Sequence, residues 1–361
     1  MANMKEMFNI FNDEPDALML LGKKAIEIGK IDVSEKEYMI FAVEALRKAL
    51  DLYNFDNHPV QYATAQNHLG LAYFCLGVLE DRVENCKMSI NAYNEALRVW
   101  TINKHPFEYA SAHNELMAVY SSLAEVENKV KNSEMAIEAG REALKIITME
   151  EYPVEYARIQ GNIGNAYEVL AEAENRKENC IKSIEAFSEA LKPISIEKYP
   201  IYYFKLKMNL GITYTTFSDA EDKVGNCKRA IESFEDALKV EGLKEKYPKF
   251  YALVQLNLGG VYSVLASVEK GLENCEKGLS ACQEALRVFT LTEFPIQYAK
   301  IYIDVGILYR ILATIENREE NCGKAKDAFN EALHVFTEDA YPEYYNNVMS
   351  NIGKLRDVCG D

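Results

Sequence analysis

A single period governs this chain and limits what it can fold into. Proline recurs at Pro59, Pro106, Pro153, Pro200, Pro248, Pro295 and Pro342, in steps of 47, 47, 47, 48, 47 and 47 residues. Asparagine keeps the same beat at Asn85, Asn132, Asn179, Asn226, Asn274 and Asn321. Cysteine follows it at Cys86, Cys180, Cys227, Cys275 and Cys322, with Ser133 the one departure. A period of this size means one helical unit stacked on copies of itself, each touching only its neighbours. The 361 residues are therefore not read as two or three globular domains.

The unit beginning at Pro153 illustrates the pattern. Tyr156, Ile163, Tyr167 and Leu170 form one stripe of a helix, and Gly164 and Ala171 beside it let a neighbouring helix come close. Pro153 suits a first helical turn, where its missing N–H has no partner to lose. This first helix, A, should run about 20 residues, roughly 30 Å. Asn179 is expected to be the N-cap of the second helix, B, because its side-chain oxygen can accept an orphan N–H. Helix B carries Cys180, Ile184, Phe187, Ala190 and Leu191 on one face. Pro193 stands where other units have Val or Ile, so it should kink or shorten helix B. With Gly242 and the 48-residue step in the next unit, it predicts a change of superhelical pitch near mid-chain.

Two tyrosine series run through the chain, one from Tyr62 to Tyr345 and one from Tyr73 to Tyr309. A ligand-stacking platform is one reading. Packing between units, with each hydroxyl finding a partner, is the simpler one. The single Glu per unit (Glu80, Glu127, Glu174, Glu221, Glu269, Glu316) reads as structural, since acid–base chemistry needs paired carboxylates. The five repeat cysteines are expected to be reduced, buried and too far apart to bond, as small core residues. No Cys-x-x-Cys occurs.

Asn162-Ile163-Gly164 with Tyr167, followed by Ala186-Phe187 with Ala190-Leu191, resembles the tetratricopeptide repeat. Leu69, Gly70 and Tyr73, then Ser89, Tyr93, Ala96 and Pro106, match its two helices. The resemblance spans about residues 17 to 359 and looks like an elongated variant of bacterial or archaeal type. It implies an all-α, right-handed α-solenoid of stacked antiparallel helix pairs. Residues 1–58 would be a degenerate N-terminal pair acting as a cap. Residues 59–341 would hold six repeats starting at 59, 106, 153, 200, 248 and 295, and 342–361 a capping helix. On that last helix Tyr345, Val348, Met349, Ile352 and Leu355 make an apolar face, and Asn346, Asn347, Ser350 and Lys354 a polar one.

The resemblance also implies a function. In such arrays helix A lines a concave groove across which a peptide lies. Members that hold a terminal carboxylate use an Asn and, four residues earlier, a cation. The matching positions here are Arg158 with Asn162, Lys205 with Asn209, Asn257, and Lys300 with Asp304. Asp304 departs from that pattern, and so does the apolar Leu253. Other groove positions vary from unit to unit (Phe74, Ser121, Glu168, Thr215, Ser263, Arg310), as a binding surface does.

A non-catalytic scaffold for a protein or peptide partner is the leading expectation. The alternative is a sensor that changes pitch on binding, hinged between Pro193 and Gly242. An enzyme is disfavoured: no Gly-rich phosphate loop, nucleophile elbow or His-Glu-x-x-His is present, and no metal or other cofactor is expected. Of five histidines, His58 and His105 precede the repeat Pro where later units carry Tyr or Phe, which suggests packing. His68 and His113 could meet near Glu115 as a metal or polar patch. The formal charge of −16 argues against nucleic acid. No stretch has the length and apolarity of a membrane span or signal peptide, so the expected place is the cytoplasm. Self-association through an end or the groove stays open.

Overall fold

The computed structural model describes residues 1–30, 35–269 and 271–360, and every regular element among them is a helix. Three helices lead in: α1 (Ala2–Ile10), α2 (Pro15–Gly29) and α3 (Glu35–Leu52). Six A/B pairs follow. They are α4 (Pro59–Leu79) with α5 (Arg82–Leu97), α6 (Pro106–Ala124) with α7 (Lys129–Leu144), and α8 (Pro153–Ala173) with α9 (Arg176–Leu191). Then come α10 (Pro200–Ser218) with α11 (Lys223–Leu238), α13 (Pro248–Ala266) with α14 (Gly271–Leu286), and α15 (Pro295–Leu312) with α16 (Arg318–Leu333). A one-turn helix, α12 (Leu243–Lys246), precedes α13, and α17 (Pro342–Cys359) ends the series.

The chain divides into two compact units, Met1–Asn175 with Ser188–Pro193, and Arg176–Phe187 with Ile194–Asp361. Inside each unit consecutive helices pack in chain order. In the first, α2 also touches α4, α4 touches α6 and α6 touches α8. In the second, α10 touches α13, α13 touches α15 and α15 touches α17. No comparable contact joins successive B helices among the described residues. Each unit thus has an inner layer of A helices and an outer layer of B helices.

The repeated residues make these joints. Every repeat Pro sits at the start of its helix A. The residue before it packs as an aromatic: the His58 ring lies 5.6 Å from Tyr53, as Phe294 lies 5.3 Å from Phe289 and Tyr341 lies 5.5 Å from Phe336. The A and B helices of a pair meet through a glycine under a ring. A Cβ on Gly211 would fall 2.5 Å from Phe234. In the second pair the sizes are exchanged: Gly140 is on α7, and its Cβ would fall 2.8 Å from Met117 Sδ on α6. One large and one small residue fill these joints, whichever helix supplies which, whereas in α13 and α14 both are small, Gly259 against Cys282.

The first tyrosine series closes each pair. Tyr62 donates to Glu95 (2.8 Å), Tyr156 to Glu189 (3.2 Å), Tyr251 to Glu284 (3.2 Å), Tyr298 to Glu331 (2.9 Å), and Tyr109 to Glu142. The partners are 33 residues apart each time, joining the start of helix A to the end of helix B. Tyr203 has the shorter Asp236 at that place, and Lys207 reaches it instead at 2.6 Å. In the second series Tyr167 accepts from Arg141 at 2.6 Å, while the buried Tyr73 hydroxyl makes no hydrogen bond and Arg47 lies over its ring.

Four expectations are corrected. The repeat Asn is not the N-cap of helix B. That place belongs to Asp81, Asn128, Asn175, Asp222 and Asn317, whose φ values of 44°, 47°, 47°, 42° and 46° are left-handed. Asn and Asp tolerate this conformation, and it turns one helix into the next within two to five residues. The repeat Asn lies in the first turn of helix B, buried, and its side-chain amide donates back five residues. Asn85 reaches the Glu80 carbonyl at 3.0 Å, Asn226 reaches Glu221 at 2.6 Å, and Asn321 reaches Glu316 at 2.8 Å. It closes the hairpin by satisfying a carbonyl at the end of helix A. The Glu series thus contributes its backbone, and exposed pairs such as Lys36–Glu80 and Lys87–Glu127 use its side chains.

Of the repeat cysteines, Cys86, Cys180, Cys227 and Cys275 form no disulfide and are buried. Cys322 is not: it forms a disulfide with Cys359, with Cα atoms 6.0 Å apart. Cys359 ends α17 at the register place that carries Leu or Phe in the A helices before it, so the terminal joint is covalent where the others are packed. Pro193, finally, neither kinks nor shortens its helix. All six B helices end at the equivalent Leu, so Pro193 lies in the turn beyond. The extra residue of the next unit is taken up by Gly242, at φ +70°, leading into α12. On α17, Met349 is exposed and Asn351 takes a buried place instead.

Candidate functional site

The inner layer of the second unit holds a pocket of about 340 Å³. Thr215 of α10, Asn257 and Gly260 of α13, Lys300 and Asp304 of α15, and Tyr344 and Asn347 of α17 all open into it. Four successive A helices therefore meet there. Small residues make the space. Gly260 stands where other units carry Leu71, Ala118, Asn165, Ile212 and Ile307. A Cβ on it would lie 3.5 Å from Asp304 Oδ2, an ordinary contact, so a larger residue would fill the pocket without a clash at its root. Beneath, Cys282 replaces the aromatic found at Tyr93, Phe187, Phe234 and Phe329.

Asp304 is the electrostatic centre of the pocket. Burial pushes its carboxyl up to about 7, against the opposing pull of the Ser263 hydroxyl and the Lys300 charge. The titratable groups around it are Lys300 on its own helix, Tyr344 on α17 and the buried Cys282 thiol on α14, which its charge helps to push up. Lys300 does not close an ion pair with it. The ammonium lies over the Tyr344 ring, 5.1 Å from the centroid.

The first unit holds a larger cavity of about 790 Å³ where α6 turns into α7 beside α8. Ala118, Ser121, Ser122, Ser133, Asn162 and Ala166 are among its lining residues, so the one unit with Ser in place of Cys borders a void. Charges at its rim are paired, Arg82 with Glu125 at 2.7 Å and Lys129 with Glu172 at 2.8 Å. On the same inner layer Glu115 is pushed up by burial, against Arg158 and Lys30, and Glu168 is pushed up to about 7 by burial and Glu172.

Of the residues singled out from the sequence, the structure joins Asn257, Lys300 and Asp304 in one pocket. Asn162 lines the first-unit cavity, and Arg158 and Lys205 are exposed on their A helices. Asn209 is half-buried, and its carbonyl accepts from Thr213 at 3.1 Å. His68 and His113 do not meet: His113 packs edge-on against Tyr109 at 4.4 Å near Glu142 and Lys145, whereas His68 lies near Lys23 and Glu27. No metal-holding group of three His, Cys, Asp or Glu occurs among the described residues. Tyr344 and Asn347 were missed as pocket residues. Extending the register from Lys300 by one more step of 47 lands on Asn347, so the period itself carried the signal.

Comparison with known proteins bears on the fold. A crystal structure of the C-terminal part of a TPR repeat-containing protein from Cytophaga hutchinsonii superposes with a TM-score of 0.53, over 92% of this chain and 99% of that one, at 13% identity. The fold is a TPR-like α-solenoid. No family model matches the sequence, and no curated protein matches it. At 13% identity the likeness extends to the architecture alone. No helix among the described residues is long and apolar enough to cross a membrane.

Proposed function

We propose that this chain is a non-catalytic protein–protein interaction scaffold. Its inner layer of A helices holds a peptide or protein segment, and nucleic acid and membrane are not its partners. The observation that carries this reading is the division of labour between the layers. Residues that repeat sit in the helix–helix joints, whereas residues that change from unit to unit stand on the inner layer, where an open pocket holds a carboxylate. Arg158, Asn162, Lys205, Asn209, Asn257 and Lys300 all stand on the A helices that make that layer. A scaffold needs this separation, because its stability must not depend on the residues that choose the partner.

Panning a random peptide library against the full chain tests the reading, with hydrogen exchange on the peptides that emerge. Protection is expected on A helices such as α13, α15 and α17, and not on B helices. An empty library, or protection confined to B helices, would sink it. Arg158→Glu with Lys205→Glu should change which peptides are enriched while leaving the helical melt unchanged.

A further inference from the structure

We propose that the inner pocket of the second unit seats a basic side chain of the partner segment, its guanidinium or ammonium against the Asp304 carboxylate. This inference rests on the reading of the inner layer as a segment-binding face and narrows the chemistry of what it binds.

The argument is one of hydrogen-bond supply. The two hydroxyls nearest the carboxylate, and one Asn257 N–H, have already spent their donors on nearby carbonyls. Thr215 donates to the Gly211 carbonyl at 2.9 Å and Ser263 to the Gly260 carbonyl at 2.8 Å. The Asn257 amide donates to the Leu253 carbonyl at 2.8 Å. The Asn347 side-chain oxygen accepts from Asn351 at 3.1 Å and has a second lone pair. The second Asn257 N–H and those of Asn347 make no hydrogen bond to Asp304, so its carboxylate faces the open space with most of its lone pairs unmet. The one donor-only group at its edge, Lys300, lies over the Tyr344 ring.

Asp304 is poorly supplied for an enclosed carboxylate. Its one hydrogen-bond contact is with Ser263 at 3.4 Å, from a hydroxyl already directed at Gly260. A carboxylate has about four acceptor sites and is costly to enclose without a counter-charge. A guanidinium brings five N–H donors and a charge, the complement of this lining. A peptide carboxylate would meet the Asp304 charge instead. An anion-holding pocket needs Asn and Lys donors pointed at the ligand, and here Asp304 occupies that Asn place while the Lys300 ammonium lies over the Tyr344 ring. The space above the carboxylate, opened by Gly260 and Cys282, takes one long side chain entering from the inner face.

The test uses two dye-labelled, N-acetylated and C-amidated peptides, identical Gly/Ser frames carrying either two Arg or two Glu, followed by fluorescence anisotropy on the full chain. The Arg peptide should bind, and Asp304→Asn should weaken it tenfold or more. Asn is the resident of that position at Asn162, Asn209 and Asn257, so the variant should fold, and its helical melt checks this. Gly260→Leu should block binding by filling the pocket with the carboxylate kept. Glu319→Gln, an equal loss of charge on α16, should leave affinity within twofold. The proposal is overturned by equal binding to Asp304→Asn, by an Arg-peptide loss as large in Glu319→Gln, or by binding of the Glu peptide alone. If neither peptide binds, the proposal also falls. The inner-face reading survives that result if library peptides still protect A helices, and falls with it if they do not.

Discussion

Two inner-layer carboxylates, Glu115 on α6 and Asp304 on α15, occupy the same register position in different units. Burial pushes both carboxyls upward, yet their surroundings differ. The register places that Gly260, Ser263 and Cys282 hold for Asp304 are held by Leu71, Phe74 and Tyr93 for Glu115. Three large residues stand in one case and three small ones in the other. The carboxylate alone does not make a site. The volume its neighbours leave beside it does, and that volume is set by residues one unit earlier in the chain.

The comparison can be broken most forcefully by exchanging sizes. Leu71→Gly should destabilise the chain by roughly 2–4 kcal/mol in urea unfolding, through lost burial and a helix glycine. Gly260→Leu should instead be neutral or stabilising by about 1 kcal/mol, because its root meets only ordinary contacts. Comparable losses from both would mean that the pocket is not spare volume.

The covalent joint comes next. Cys322→Ser should cost about 2–3 kcal/mol locally and raise hydrogen exchange in α17, which supplies Tyr344 and Asn347 to the pocket. Exchange in α4 and α6 should not change. Mass spectrometry of the alkylated native chain should find Cys322 and Cys359 unmodified until a reductant is added.

A smaller effect separates the carboxylates by pH. The folded-state pKa of Asp304, about 7, lies above its unfolded value, so the folded state holds the proton more tightly. Stability from this group is full below the unfolded pKa near 3.8 and is lost as pH rises through about 7. Asp304→Asn should therefore gain on the wild type between pH 4 and pH 8, by roughly 2 kcal/mol once solvent at the pocket mouth is allowed for. A constant difference across that range would place the carboxylate in water. The smallest effect is at Tyr93, fully buried with a hydroxyl that has no hydrogen-bond partner. Tyr93→Phe, matching Phe187, Phe234 and Phe329, should stabilise by about 1 kcal/mol in the same urea assay.

What was legible in advance follows from locality. Pro153 at a helix start and Tyr156 closing on Glu189 are contacts within one repeat, so period and spacing predict them. Spacing points to Asn179 as the cap because Asn175 offers the same residue type four positions earlier, and a pattern does not say which one turns left-handed. Asn175, in the left-handed conformation, took the cap.

By itself the sequence determined the stacked helix pairs, because a 47-residue period can bury its apolar faces only against copies of itself. It also separated repeating joint residues from varying inner-layer ones. Only the tertiary structure decided that Cys322 leaves the series to bond Cys359, and that Asp304 faces an open volume with a single weak hydrogen-bond contact. Both depend on which side chains of neighbouring helices arrive at one point, and a one-dimensional pattern does not encode that until the helices are packed.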